Sequence, residues 1–293
     1  GIYLHKNIDL YITGSNAYLL SGELATLLSG RYIEIKMLPL SFKEFISAHE
    51  EKNVDRLFQK YLSFGSFPYV LNFENLDDAD IYIKNIYDSI ILKDVIARKK
   101  VTDVSMLQSI IHFMLDNIGN LCSTNSIANT MISNKRNISV HTVENYLNAL
   151  TESFIFYKAS RYDVKGKQYL KTGDKYYVVD PGLRFFLLGR KEGDSGHILE
   201  NIVYLELLRR GYDVYIGKVD ELEVDFVAIN SKGVEYYQVS ESVKDESVLN
   251  RELKALDSIK DHNPKFLLTG DIDPETSYNG IRKINIIDWL LEK

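Results

Sequence analysis

The sequence predicts an α/β multidomain protein. Three observations carry that expectation: an opening strand–turn–helix pattern, a central run of three amphipathic helices followed by a hairpin, and a closing series of strands and helices beyond a glycine-rich stretch. Of 293 residues, 45% are apolar and 26% charged, enough apolar material for a sizeable core. Disordered, collagen-like and disulfide-scaffold classes are thereby excluded. Domain sizes of roughly 100 to 150 residues give two or three units. The lone Cys122 has no bridge or CxxC partner and suits a reducing cytoplasm. No run approaches the roughly 20 apolar residues of a membrane helix, so no membrane association is expected. A net charge of −6 still leaves room for a local basic patch.

In the first unit, residues 1–100, an apolar run over 8–13 ends at Gly14-Ser15-Asn16 and reads as a strand. Leu19, Leu20, Leu24, Leu27 and Leu28 recur at helical spacing before Gly30, and Ile33 with Ile35 marks a second strand. From Ser41 to about residue 100 the pattern is helical, broken by Phe64-Gly65-Ser66-Phe67-Pro68. A buried-type strand with nothing before it to pair with suggests the C-terminal part of something longer. Its exposed edge would invite pairing with a second copy of the chain.

In the second unit, residues 101–188, Val104, Leu107, Ile110, Ile111, Met114 and Ile118 form one apolar stripe; Ile127, Ala128, Met131 and Ile132 a second; Val140, Val143, Leu147 and Leu150 a third. Ser139 suits the N-cap of the third helix, and Thr124 or Asn125 that of the second. Strands over 154–159 and 176–179 flank a polar loop, giving the element order of a winged helix-turn-helix. Lys158, Arg161, Lys165, Lys167, Lys171 and Lys175 fall on the presumed wing, and Lys135, Arg136 and His141 flank the third helix. Such cations can neutralise DNA phosphates. The third helix offers Glu144, Asn145 and Asn148 but no Arg, so arginine readout of guanine is not evident, and a protein-contact module fits equally well.

After the linker around 189–196, the third unit, residues 197–293, reads as a mixed α/β domain. It has a helix over 198–210, strands over 213–216, 223–229 and 234–240, a helix over 246–259, strands over 266–269 and 284–287, and a last helix carrying Trp289. Glu200 on the helix, Asp225 on an apolar strand and Gln238 with Ser240 on the next strand form the candidate catalytic set, with Glu200 and Asp225 as metal ligands. Converging oxygens of this kind hold a divalent ion that activates water against a phosphodiester. A buried carboxylate without a partner is otherwise costly.

The Glu, Asp, Gln-x-Ser spacing resembles the restriction-endonuclease-like fold, whose pattern ends in Glu/Gln-x-Lys. Here Ser240 stands at the lysine position and supplies no cation; Lys232, Lys244 and Arg251 are candidate substitutes from neighbouring elements. The run Asp9-Leu10-Tyr11-Ile12-Thr13-Gly14-Ser15-Asn16-Ala17, then Leu28-Ser29-Gly30-Arg31 and Pro39-Leu40-Ser41-Phe42-Lys43-Glu44-Phe45, resembles the segment after the Walker B strand in prokaryotic AAA-type P-loop ATPases. Those proteins continue into a winged helix and a domain of unknown function with an endonuclease-like fold. Phe64-Gly65-Ser66-Phe67-Pro68, Asp180-Pro181-Gly182-Leu183-Arg184, Glu200-Asn201 and Gln238-Val239 extend the likeness along the chain.

The resemblance implies a partial P-loop ATPase α/β domain with a helical lid, and ATP with Mg²⁺ as cofactors of the intact protein. It places Ser15 and Asn16 at a nucleotide-sensing strand end and makes Arg31 a γ-phosphate-sensing arginine. The sequence holds no G-x-x-x-x-G-K-[ST] loop and no apolar strand ending in Asp-Glu that could serve as Walker B, so ATP hydrolysis by this chain alone is not expected. The expected role is a nucleic-acid or protein binding module; the alternative is a metal-dependent nuclease.

Overall fold

Short polar side chains start the helices of the first half. In the computed structural model, which describes residues 9–14, 30, 32–97, 99–170, 173–189 and 195–292, Ser41 and Glu44 close a capping box on α1 (Phe42–Ser47). Asn53 caps α2 (Val54–Phe64) and Asn75 caps α3 (Leu76–Ser89), which runs on into a π-helical stretch, Ile90–Ala97. Asp103, Ser123 and Ser139 cap α4 (Val104–Asp116), α5 (Thr124–Ser133) and α6 (Val140–Glu152). Ser139 is the residue expected. For α5 the cap is Ser123, one residue before the expected pair, because its hydroxyl and that of Ser126 each reach the other's backbone N–H.

The expected strands over 8–13 and around Ile33 and Ile35 are not formed among the described residues. Residues 9–14 and 32–37 are irregular and exposed, Ile33 to 91% and Ile35 to 73%. A strand needs a neighbour to take its N–H and C=O groups, and no described strand pairs with either segment. The sheet edge expected there to recruit a second copy is therefore not present in the described residues.

β1 (Phe156–Ala159) and β4 (Lys175–Val178) pair antiparallel, close to the expected hairpin. The loop between them is not a free wing. Its strands β2 (Arg161–Asp163) and β3 (Gln168–Tyr169) enter the sheet of the C-terminal half, with β2 parallel to β5 (Asp213–Val219). After β5 come β6 (Leu222–Asn230), β7 (Gly233–Ser240), β8 (Lys265–Thr269), β9 (Thr276–Tyr278) and β10 (Ile281–Asn285). The eight strands lie in the order β3-β2-β5-β6-β7-β8-β10-β9. A boundary near 189–196 thus does not separate the sheet from the preceding unit.

Between these strands run α7 (Pro181–Leu188), α8 (Ser195–Arg209), α9 (Glu246–Asp257) and α10 (Ile286–Leu291). The last strand begins at Ile281 rather than near 284, and Asn285 caps α10, so Ile286 and Ile287 are helical. α8 covers one sheet face and α9 the other. α8 is buried at every position from 198 to 207, since the β1–β4 ribbon and α7 close over its outer side. Phe42, Phe45, Phe58 and Tyr61 share one core with Trp289 and Leu290, and Arg209 donates to the Pro39 carbonyl at 2.7 Å.

Two of the motifs that the sequence singles out lock into each other. Asp180 is fully buried, accepts from Ser66 N and Ser66 Oγ (2.5 and 2.7 Å), and caps α7 through Leu183 N (3.2 Å). Gly65 has φ 82°, and a Cβ there would lie 2.2 Å from Asp180 Oδ1. Among the described residues no helix is long and apolar enough to cross a membrane.

Candidate functional site

β4 alternates its side chains across the ribbon, which turns Lys175 and Tyr177 together toward α8. Asn201 fixes that approach: its amide accepts from Val178 N (2.7 Å) and donates to Val178 O (2.9 Å). Tyr177 stacks on Tyr204 of α8 at 4.3 Å between ring centroids. Lys175 Nζ then lies 3.0 Å from Glu200 Oε1, 2.8 Å from Glu223 Oε1 and 4.0 Å from Asp225 Oδ1. The Tyr177 hydroxyl donates to the same Glu200 oxygen at 2.5 Å. Glu200 Oε2 faces His197 Nδ1 at 3.9 Å, and a Cβ on Gly119 would lie only 3.2 Å from it, so glycine leaves the room this corner needs.

Asp225 Oδ2 accepts from Val239 N at 2.8 Å, which pins the carboxylate across the β6–β7 pair. Gln238 Oε1 accepts from Asp225 N (3.3 Å), while its Nε2 donates to Glu252 (2.8 Å), itself paired with Arg251. Ser240 turns away, its hydroxyl donating to the Ser242 carbonyl at 3.2 Å. Glu200, Asp225 and Gln238 are therefore brought together; Ser240 is not. The cation paired with Glu200 is Lys175, while Arg251 pairs with Glu252.

Burial opposes the charge on Lys175, yet Glu200, Asp225 and Glu223 together hold its pKa above the ordinary lysine value. Burial first, and then the charge of Glu200, push the Asp225 carboxyl well above the usual carboxylate range, against the pull of Lys175 and the Val239 N–H. Burial and Glu200 likewise raise Tyr177. A raised Asp225 keeps in the fold a proton that the unfolded chain has lost, so stability falls as pH rises from about 4, the unfolded carboxylate value, through the folded one. Asp225→Asn removes that slope. Urea unfolding at pH 5 and pH 8 should show the variant gaining on the wild type as pH rises; parallel curves would contradict the shift.

Glu200 Oε1 accepts from the Lys175 ammonium and the Tyr177 phenol, and Asp225 Oδ2 from the Val239 N–H. Among the described residues no group of three or more His, Cys, Asp or Glu side chains is placed to hold a metal. As arranged, the centre holds the Lys175 ammonium between Glu200 and Glu223.

The expected nucleic-acid-binding residues lie on separate elements. Arg136 donates to Ser105 O (2.9 Å) and to the hydroxyls of Ser105 and Ser109, holding α5 to α4. Lys135 is exposed after α5, and His141 meets Asn145 at 3.3 Å. Lys165 pairs with Asp220, and Lys167 is exposed in the β2–β3 turn. Lys158 pairs with Asp174 at 2.8 Å. Lys175, expected on an open wing, is 4% exposed, because strand alternation points it inward. Ser15, Asn16, Arg31 and Lys171 lie outside the described residues.

Sequence reasoning missed Lys175, Glu223, Tyr177 and Asn201 as parts of one centre. The available signal was a charged residue heading the apolar run Lys175-Tyr176-Tyr177-Val178-Val179, the same cue that marks Asp225.

Comparison with known proteins agrees with an AAA-type link. Residues 2–46 match a family model described as an AAA domain, and residues 55–194, which take in α3 to α7 and nearly all of α2, match a domain of unknown function (DUF8612). An uncharacterized protein of Haemophilus influenzae is 45% identical over 290 residues, covering 98% of this chain and 72% of that protein. An uncharacterized protein of Methanocaldococcus jannaschii is 30% identical over 272 residues, covering 87% of this chain and 60% of that protein. No solved structure matches.

Proposed function

The chain belongs to the family of the uncharacterized Haemophilus influenzae protein, and on that premise we propose that it is the C-terminal portion of an AAA-type ATP-binding protein and serves as a binding module for nucleic acid or protein. In this reading α4 to α6 with the β1–β4 ribbon act as a winged helix, and the large sheet with α8 and α9 is an endonuclease-like domain that holds but does not cut. ATP and Mg²⁺ belong to the whole protein, whose phosphate-cradling loop this sequence lacks. A cytoplasmic site of action suits the buried, unpaired Cys122.

One observation carries the reading: the Lys175 ammonium sits on Glu200 and Glu223 at 3.0 and 2.8 Å, where a nuclease would bring its divalent ion. A second reading, a metal-dependent nuclease using Glu200, Asp225 and Gln238, is favoured by the convergence of those three and by Lys175 replacing the cation absent at Ser240. Incubation of plasmid and branched DNA with the protein and Mg²⁺ or Mn²⁺ separates the two. The expected result is intact DNA. Cleavage that disappears in Asp225→Ala would replace the first reading with the second.

A further inference from the structure

We infer that Arg161 and Lys218 form a seat for the backbone phosphates of a nucleic-acid strand beside the carboxylate–lysine centre. This rests on the binding-module reading and names its ligand class and contact residues. Asp163 is opposite Lys218, and Lys218 is opposite Glu223, in the paired strands β2, β5 and β6. Side chains two apart share a sheet face, so Arg161, Asp163, Lys218 and Glu223 line the face that also carries the centre.

The Arg161 Nε is buried and has no hydrogen-bond partner, and among the described residues no carboxylate pairs with its guanidinium. A buried N–H left unpaired is costly. The Arg161 side chain as a whole is only half-buried, so an incoming phosphate would meet the guanidinium from its exposed side. The side chain passes Gly173, two residues before Lys175: a Cβ there would lie 3.1 Å from Arg161 Cδ and 3.4 Å from Nη1. Lys218 is half-buried. Of its two cross-strand neighbours, Glu223 is committed to Lys175 at 2.8 Å and Asp163 Oδ1 accepts from the Lys165 and Gly166 N–H groups (3.0 and 2.9 Å), and among the described residues neither forms an ion pair with Lys218.

By contrast, Lys158 and Lys165 have carboxylate partners and Arg136 is tied to α4. A guanidinium fork and an ammonium on neighbouring strands suit the oxygens of successive phosphodiesters. Each phosphodiester brings a single negative charge, so a strand can pass the acidic centre while touching only these two cations.

The test is fluorescence anisotropy of labelled single-stranded and duplex DNA with the full chain over a salt series. Arg161→Gln and Lys218→Ala should each weaken binding about tenfold. Each should also lower the slope of log affinity against log salt by about 1. Arg161→Lys should keep the slope and lose part of the affinity. Thermal melts establish that the variants fold, and Lys218, being half-exposed, is the safer of the two.

Unchanged binding in both neutralised variants overturns this inference and leaves the module reading standing. So does loss of binding confined to a Lys165→Ala/Lys167→Ala double variant, or stoichiometric displacement of the DNA by ATP or inorganic phosphate, which would make the seat one for a free anion. A wild type that binds no DNA overturns the inference together with the nucleic-acid half of the module reading.

Discussion

Replacing Lys175 by Met is expected to lower stability by about 3–5 kcal/mol at neutral pH, a large part of the roughly 5–15 kcal/mol that holds a domain folded. The side chains of Lys175, Glu200 and Asp225 are 5%, 9% and 12% exposed, so the carboxylates left behind have little access to water. Glu223, at 34%, can recover some hydration and should matter least. Without the ammonium, whose charge pulls the Asp225 pKa down, Asp225 is kept more firmly as a neutral acid in the fold than in the unfolded chain. The folded state then binds more protons, so the variant loses stability as pH rises through the carboxylate range. Urea unfolding at pH 4.5 should therefore show a smaller deficit than at pH 7.5. A deficit below about 1 kcal/mol at pH 7.5, the scale of an exposed ion pair, would mean that the centre is open to solvent.

Asp180→Ala is expected to cost about 3 kcal/mol or more. The carboxylate caps α7, a role worth about 0.5–2 kcal/mol, and its loss strands the buried Ser66 N–H, a further 1–3 kcal/mol. No neighbour can move in to compensate, because Gly65 and Gly182 are packed against this carboxylate to within the size of a missing methyl group. Burial raises the Asp180 pKa despite its hydrogen bonds. Its contribution therefore declines as pH rises from the ordinary carboxylate value toward the folded one, and the variant's deficit should be larger at pH 5 than at pH 8. Calorimetric melts of the two proteins at both pH values check magnitude and sign together.

Much of the fold is written locally and can be read. Ser41 and Ser139 sit where a side-chain oxygen is needed by the first turn, and β6 and β7 are joined by Asn230-Ser231-Lys232-Gly233, a turn whose chemistry is complete in four residues. At α5 the sequence offers Ser123, Thr124 and Asn125 in a row, all capping types, and only the reach of Ser126 decides among them.

The N-terminal strands misled for a different reason. Apolar runs such as Leu10 to Ile12 state a need for burial but not who will provide it. β2 and β3 are too short to register as strands; β3 pairs only with β2, and the other partner of β2, β5, lies some fifty positions away. The site divides along the same line. Asp225 betrays itself by standing in an apolar strand, and the Glu200–Asp225–Gln238 spacing follows from helix and hairpin geometry. Lys175 looks like one more surface cation until the alternation of β4 and the grip of Asn201 turn it inward.

The union of β2 with β5 and of Lys175 with Asp225 also bears on how the polypeptide matures. Synthesis proceeds from the N-terminus, so Lys175, Tyr177 and the two short strands emerge from the ribosome before α8 and β6 exist to receive them. Contacts so far apart in sequence form slowly, since a long loop must close before any reward is collected. Until then the aromatic underside of the β1–β4 ribbon is uncovered, and nascent chains in that state are the ones that a chaperone would have to shield.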